Sequence, residues 1–137
     1  MPTDSFRARR KRRCKTIACA LVLYGLPLLA TGASPSELPD PLDAGWNGEP
    51  VCEALHDDAD HRVLRCTFPP GVGHERHYHD PHFGYTVAGA RMRITDAGGT
   101  REVDVPAGSS FSSEGVEWHE VLNVEDSTGV FLLVEPK

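Results

Sequence analysis

Residues 71–89 read GVGHERHYHDPHFGYTVAG, and four of the chain's seven histidines (His74, His77, His79 and His82) fall within nine of these positions. Side chains two apart on a β-strand share one face, so His77 and His79 reach the same side of a sheet. Neutral imidazole is the commonest metal-binding side chain, and a fifth candidate, His119, stands far downstream in WHEVLNV. His82 is three residues beyond His79 and would face outward on a regular strand. Asp80-Pro81 interrupts that strand, and a bulge there would re-aim His82 inward.

Working outward, the flanking sequence is strand-like. Glu49–His56 and His61–Phe68 enclose the acidic turn Asp57-Asp58-Ala59-Asp60 and predict a β-hairpin. A register with Asp57 opposite His61 also sets Cys52 opposite Cys66, within reach of a disulfide; two small buried thiols are the alternative. Pro69-Pro70-Gly71 ends the hairpin. Beyond the histidine run, Phe83–Val87 returns to a strand pattern. Ala90–Thr95 alternates, with Ala90, Met92 and Ile94 on one face and Arg91, Arg93 and Thr95 on the other. Arg101–Val105, the stretch from Phe111, His119–Val124 and Gly129–Glu135 complete the set. No segment after residue 41 keeps helical periodicity over ten residues. Seven or eight short strands punctuated by Gly and Pro predict an all-β sandwich or barrel.

The chain of 137 residues allows one domain. Its start is not part of that domain. Seven basic residues from Arg7 to Lys15, an apolar run Thr16–Ala30 and the small residues Thr31–Ser34 have the three parts of a secretory signal peptide over residues 1–33. The apolar run is short for a span of about 20 residues and contains Gly25 and Pro27. Export to the periplasm or the extracellular space follows as an expectation. Residues 34–49, with Pro35, Pro39 and Pro41, are expected as a Pro-rich linker or N-terminal arm, and residues 50–137 as the barrel. Cleavage would remove seven of the fourteen basic residues and one of the twenty acidic ones, leaving seven against nineteen and a net charge of −12. Such a surface repels nucleic acid and anionic membrane, so neither is expected as a partner of the mature chain. In an exported protein the two remaining cysteines favour one disulfide.

Two spacings carry a family resemblance. Gly71, five residues, His77-Tyr78-His79, and then His82 six residues before Gly89 form the first; Pro106-Ala107-Gly108 followed by His119 and Asn123 forms the second. Together they resemble the two motifs of the cupin family, over roughly Pro69 to Glu135. His82 stands where the first motif carries Glu, one residue nearer to His79 than usual, and the gap from Gly108 to His119 is longer than in the compact second motif. The resemblance implies a double-stranded β-helix, or jelly roll, holding one divalent transition metal ion (Fe, Zn, Ni, Cu or Mn) on His77, His79, His82 and His119. It also implies a small-molecule ligand or substrate, and a homodimer formed through an added edge strand. Three functional classes stay open: a dioxygenase-like or isomerase-like enzyme acting on a small oxygenated molecule, a sensor or storage module that binds metal or ligand without turnover, and, as the weakest, a purely structural barrel with no metal. No convincing proton-transfer residue lies in the motifs, which supports the second.

The remaining candidates have plainer readings. His74 is expected to be exposed on the loop side, and His56 and His61 are read as surface residues beside the turn. Phe111 and Trp118 are read as core, and alternation puts Tyr78 opposite the ligands. Glu75, Glu114 and Glu117 are acid–base candidates near the barrel mouth, or solvated loop carboxylates.

Overall fold

The computed structural model describes residues 37–137; the expected signal peptide, 1–33, and the first residues of the arm lie outside them. Eleven strands are present: β1 (Gly45–Trp46), β2 (Glu49–Pro50), β3 (Cys52–Asp57), β4 (His61–Phe68), β5 (Gly73–His79), β6 (His82–Ala88), β7 (Ala90–Asp96), β8 (Gly99–Val105), β9 (Ser110–Ser113), β10 (Val116–Asn123) and β11 (Gly129–Pro136). Four form one sheet in the order β5-β10-β7-β8, and five form a second in the order β3-β4-β11-β6-β9. From β4 onward the chain changes sheet at every connection except the β7–β8 hairpin. That alternation makes the expected double-stranded β-helix, with every pairing antiparallel.

Period-two patterning decides which side chains enter the space between the sheets. On β4, Leu64, Cys66 and Phe68 are buried while Arg65 is exposed; on β11, Phe131, Leu133 and Glu135 are buried. Ala90 and Met92 of β7 and Val121 of β10 close the core from the other sheet. Each large apolar side chain so buried stabilises the fold by about 1.5–3 kcal/mol. The opposite face of β7 carries Arg91 and Arg93, which pair across the strand with Asp104 and Glu102 of β8. These exposed pairs add little, at most about 1 kcal/mol each.

Residues of the expected arm lie against the barrel. The Tyr78 amide donates to the Pro39 carbonyl, Asp40 pairs with Arg62 at 2.6 Å, and Ala44 is buried. A small hairpin, β1–β2, turns at Asn47-Gly48, where both residues have positive φ. This is the Asn-Gly signal of a tight hairpin, in a stretch where the sequence shows no periodic pattern. Trp46 packs directly on Gly73, where a Cβ would approach the indole to 2.6 Å.

The β3–β4 hairpin keeps the expected cysteine pairing, and a disulfide joins Cys52 to Cys66. The tip register is different. A bulge between Ala54 and His56 leaves Asp57 opposite Arg62, not His61.

Candidate metal centre

The histidine run forms β5, the Asp80-Pro81 step and the start of β6. The structure corrects how His82 turns inward. No bulge re-aims it: the chain leaves the four-stranded sheet after His79 and enters the facing sheet at His82. Both residues then point into the same interior, and both are buried. Bulges do act one turn of pleat earlier. The β5–β10 register shifts on each side of the His77–His119 pair. The extra β5 residue between His74 and His77 turns both inward, though they are three apart. His74 is therefore not exposed on the loop side; it is 2% exposed, with its ring 3.8 Å from that of His77.

His77, His79 and His119 converge. Nε2 of His77 lies 3.0 Å from Nε2 of His79 and 3.0 Å from Nε2 of His119. The outer nitrogens show which proton each ring carries. His77 Nδ1–H donates to the Glu75 carbonyl at 2.6 Å, and His79 Nδ1–H donates to Oε1 of Glu135 at 3.3 Å. Those oxygens only accept, so in each ring Nδ1 carries a proton, and Nε2 of His77, whose charged form burial disfavours, presents a lone pair. The Nε2 atoms of His77, His79 and His119 thus face one another, as ligand atoms do around one ion. Nitrogens on a tetrahedral ion at 2.0–2.1 Å are separated by roughly 3.3 Å. The donor set therefore fits a metal ion. His82 is oriented in the same way, donating Nδ1–H to the Asp80 carbonyl at 2.8 Å. Its ligand atom groups with His79 and Glu135, within 4.8 Å of both, and not with the trio.

Burial, with the neighbouring imidazoles adding to it, pushes His77 down to about 2 and His119 to about 3. Burial likewise takes His74 to about 4 and lowers His82. These rings stay neutral across the physiological range, the form that ligates metal.

Glu135 is the functional residue that sequence reasoning missed. It is 2% exposed on β11 and binds His79 with one oxygen and Arg62 with the other. Burial raises its pKa, but the His79 and Arg62 hydrogen bonds outweigh that and hold it below the ordinary glutamate range. Arg62 continues to Asp40, giving a chain from the arm to the centre: Asp40, Arg62, Glu135, His79. A carboxylate behind a ligating histidine fixes its ring and raises its basicity. The alternation Phe131, Leu133, Glu135 carried the signal: an inward-facing position of a core strand was occupied by an acid.

The trio lines a cavity of about 510 Å³ whose walls include Phe68, Met92, Ile94, Phe131 and Leu133. Phe111 is not core. It is 43% exposed and lines this cavity, its ring over Gly84 and 5.9 Å from His82. Trp118 is not core either; it takes Arg76 over its ring at 3.8 Å and is only partly buried. Glu75, Glu114 and Glu117 are all exposed and line none of the cavity; Glu75 accepts the Asn47 amide instead. The cavity's acids are Asp96, paired with Arg101, and Asp104. Asn123, the last residue of the second motif, is structural: its amide donates to the Phe68 and Ser127 carbonyls, tying down the β10–β11 turn.

The cupin domain model matches residues 64–135, which span this whole site except Asp40 and Arg62. The chain belongs to the cupin family. Among solved structures, this cupin is similar to a cupin domain from Bordetella pertussis Tohama I (22% identity, 64% of this chain and 92% of that one, TM-score 0.60). It is also similar to a polyketide cyclase from Streptomyces resistomycificus (23% identity, 62% of this chain and 63% of that one, TM-score 0.49). A third is a predicted oxalate decarboxylase from Thermotoga maritima (22% identity, 61% and 77%, TM-score 0.46). No curated protein matches this cupin.

Proposed function

We propose that this cupin holds one divalent transition metal ion on His77, His79 and His119, with His82 as a fourth ligand, and binds a small oxygenated organic molecule beside it. One observation carries the reading: the Nε2 atoms of His77 and His79 face each other at 3.0 Å, their Nδ1 protons held outward by the Glu75 carbonyl and Glu135. An all-imidazole set suits Fe, Zn, Ni or Cu, with Mn the least favoured. When bound, the ion supplies Lewis acidity at a substrate oxygen and, where it is redox-active, oxygen chemistry. The chain's own residues set the rest. Glu135 and the Asp80 carbonyl orient His79 and His82, and the apolar walls exclude water and accept a carbon skeleton.

A dioxygenase-like or isomerase-like enzyme is the use we favour. The alternative, a module that binds metal or ligand without turnover, draws on a specific observation: both oxygens of Glu135 are occupied by His79 and Arg62. The other acids on the cavity wall, Asp96 and Asp104, are paired with Arg101 and Arg91. Export is part of the proposal, supported by the Cys52–Cys66 disulfide, because such bonds persist in oxidising compartments. So is a homodimer, which light scattering on the purified chain would measure.

The test is elemental analysis of untagged protein from its native compartment, beside a His77→Ala/His79→Ala variant. Near-stoichiometric metal in the wild type and none in the variant is the expected result. A wild type that stays metal-free after incubation with each ion in turn would remove the proposal. Oxygen uptake and product analysis on the loaded protein then separate an enzyme from a binding module.

A further inference from the structure

A second group of metal-ligating side chains lies outside the cavity, at the tip of the β3–β4 hairpin. The sequence there is His56-Asp57-Asp58-Ala59-Asp60-His61. From spacing alone the two imidazoles do not share a face. In a ladder with Asp57 opposite His61, His56 would pair with Arg62, and His61 would point to the other side. The bulge between Ala54 and His56 changes this by one residue, so that His56 pairs with Val63. A one-residue shift exchanges the faces of a strand. His61 lies two residues before Val63, so it now shares the face of His56. Their ring centroids are 5.2 Å apart.

Asp58 stands between the two rings. Its Oδ1 accepts the backbone amides of Asp60 and His61, at 2.9 and 3.0 Å, which holds the carboxylate in one orientation. Oδ2 lies 2.8 Å from Nε2 of His56, and Oδ1 lies 3.5 Å from Nδ1 of His61. These two separations bracket the roughly 3.3 Å between neighbouring donor atoms on a tetrahedral ion with bonds of 2.0–2.2 Å. The three ligand atoms all fall within 4.8 Å of one another. The surroundings favour a cation: Asp57 and Asp60 share the turn, while the Lys137 ammonium is held by Asp57 and the Asp58 carbonyl and not by the Asp58 carboxylate.

We propose that His56, Asp58 and His61 form a second, surface metal site for a borderline divalent ion of the zinc, copper or nickel class. Two imidazoles and one carboxylate match that class and not calcium or magnesium, which take all-oxygen sets. All three side chains are about half exposed, at 52, 43 and 44%, so the ion keeps open positions on its solvent side. This site does not rest on the cavity reading. It shares no residue with it, and metal at one would be counted separately from metal at the other.

The test uses metal-stripped protein and zinc alone, counted by competition with a chromogenic chelator. The wild type is compared with a His56→Gln/His61→Gln variant, which leaves the Asp58 turn contacts in place, and with a His77→Ala/His119→Ala variant of the cavity. The expected result is one zinc fewer in the tip variant than in the wild type, whatever the cavity contributes. Equal counts in wild type and tip variant would overturn the proposal, as would displacement of that zinc by millimolar calcium. Should the cavity variant fail to fold, imidazole NMR resonances of the wild type provide the second measurement. Zinc is expected to shift the His56 and His61 signals, and signals unmoved at one equivalent beyond the cavity's content would equally refute the site.

Discussion

Replacing Glu135 with Gln tests the chain of contacts that links the arm to the proposed metal centre. The substitution keeps the side chain's shape and removes its charge. Glu135 offers one oxygen to His79 Nδ1–H and the other to Arg62. Gln offers one acceptor oxygen, so one of the two donors must face an NH₂ group. A buried donor left without a partner costs about 1–3 kcal/mol. Removing one member of a buried ion pair costs about 3–5 kcal/mol when the other charge is left alone. Arg62 is not left alone, since Asp40 remains at 2.6 Å, so the lower range applies. In a domain of roughly 100 residues each kcal/mol shifts Tm by about 4–8 °C. The expected loss is therefore about 4–24 °C, read by circular dichroism with the disulfide intact. Metal affinity should fall by about 10–100-fold, the usual effect of losing a carboxylate behind a ligating histidine, read by chelator competition. A Tm within about 2 °C of wild type together with unchanged metal affinity would refute the reasoning.

Three further outcomes follow. His77, His119 and His74 have folded-state values of about 2, 3 and 4 against an unfolded 6.5, so below pH 6.5 the unfolded chain takes up protons that the folded chain refuses. Stability of the metal-free protein should be full above pH 6.5 and fall with pH toward the folded values, by at most about 1.4 kcal/mol per pH unit per imidazole. A urea midpoint that does not change between pH 7.5 and 5.5 would contradict this. Cys52→Ala/Cys66→Ala opens a loop with a sequence separation of 14 and should cost about 3 kcal/mol in urea unfolding; a cost below about 1 kcal/mol would mean that the bridge is idle. Gly73→Ala places a Cβ 2.4 Å from the Val121 carbonyl and 2.6 Å from the Trp46 indole. The indole should be displaced, with red-shifted tryptophan emission and a lower Tm, and an unchanged emission spectrum would show that the hairpin does not pack there.

Alternation of side chains made most strands legible. Ala90, Met92 and Ile94 face inward or partly inward as period two requires, and Arg91 and Arg93 face out. His77 and His79 share an interior for the same reason, and His119 joins them where β10 pairs with β5. The Cys52–Cys66 pairing was legible because the hairpin register holds at the base of the ladder. The bulge beyond it was not, because no residue between Ala54 and His56 differs in kind from its neighbours. Phe111 and Trp118 were misjudged because an aromatic residue on a strand does not announce whether its face meets core, cavity or solvent.

Local pattern thus determined by itself the all-β class, most of the strands and the shared face of His77 and His79, since strand geometry repeats every two residues whatever the tertiary context. The tertiary structure decided where that repeat breaks and what lies across the gap. His74 turned inward through a bulge, and His82 entered from the facing sheet. Glu135 arrived from a strand 56 residues beyond His79 to orient it. Each of these depends on contacts between strands distant in sequence, and a side chain's own neighbours along the chain carry no energy term that specifies them.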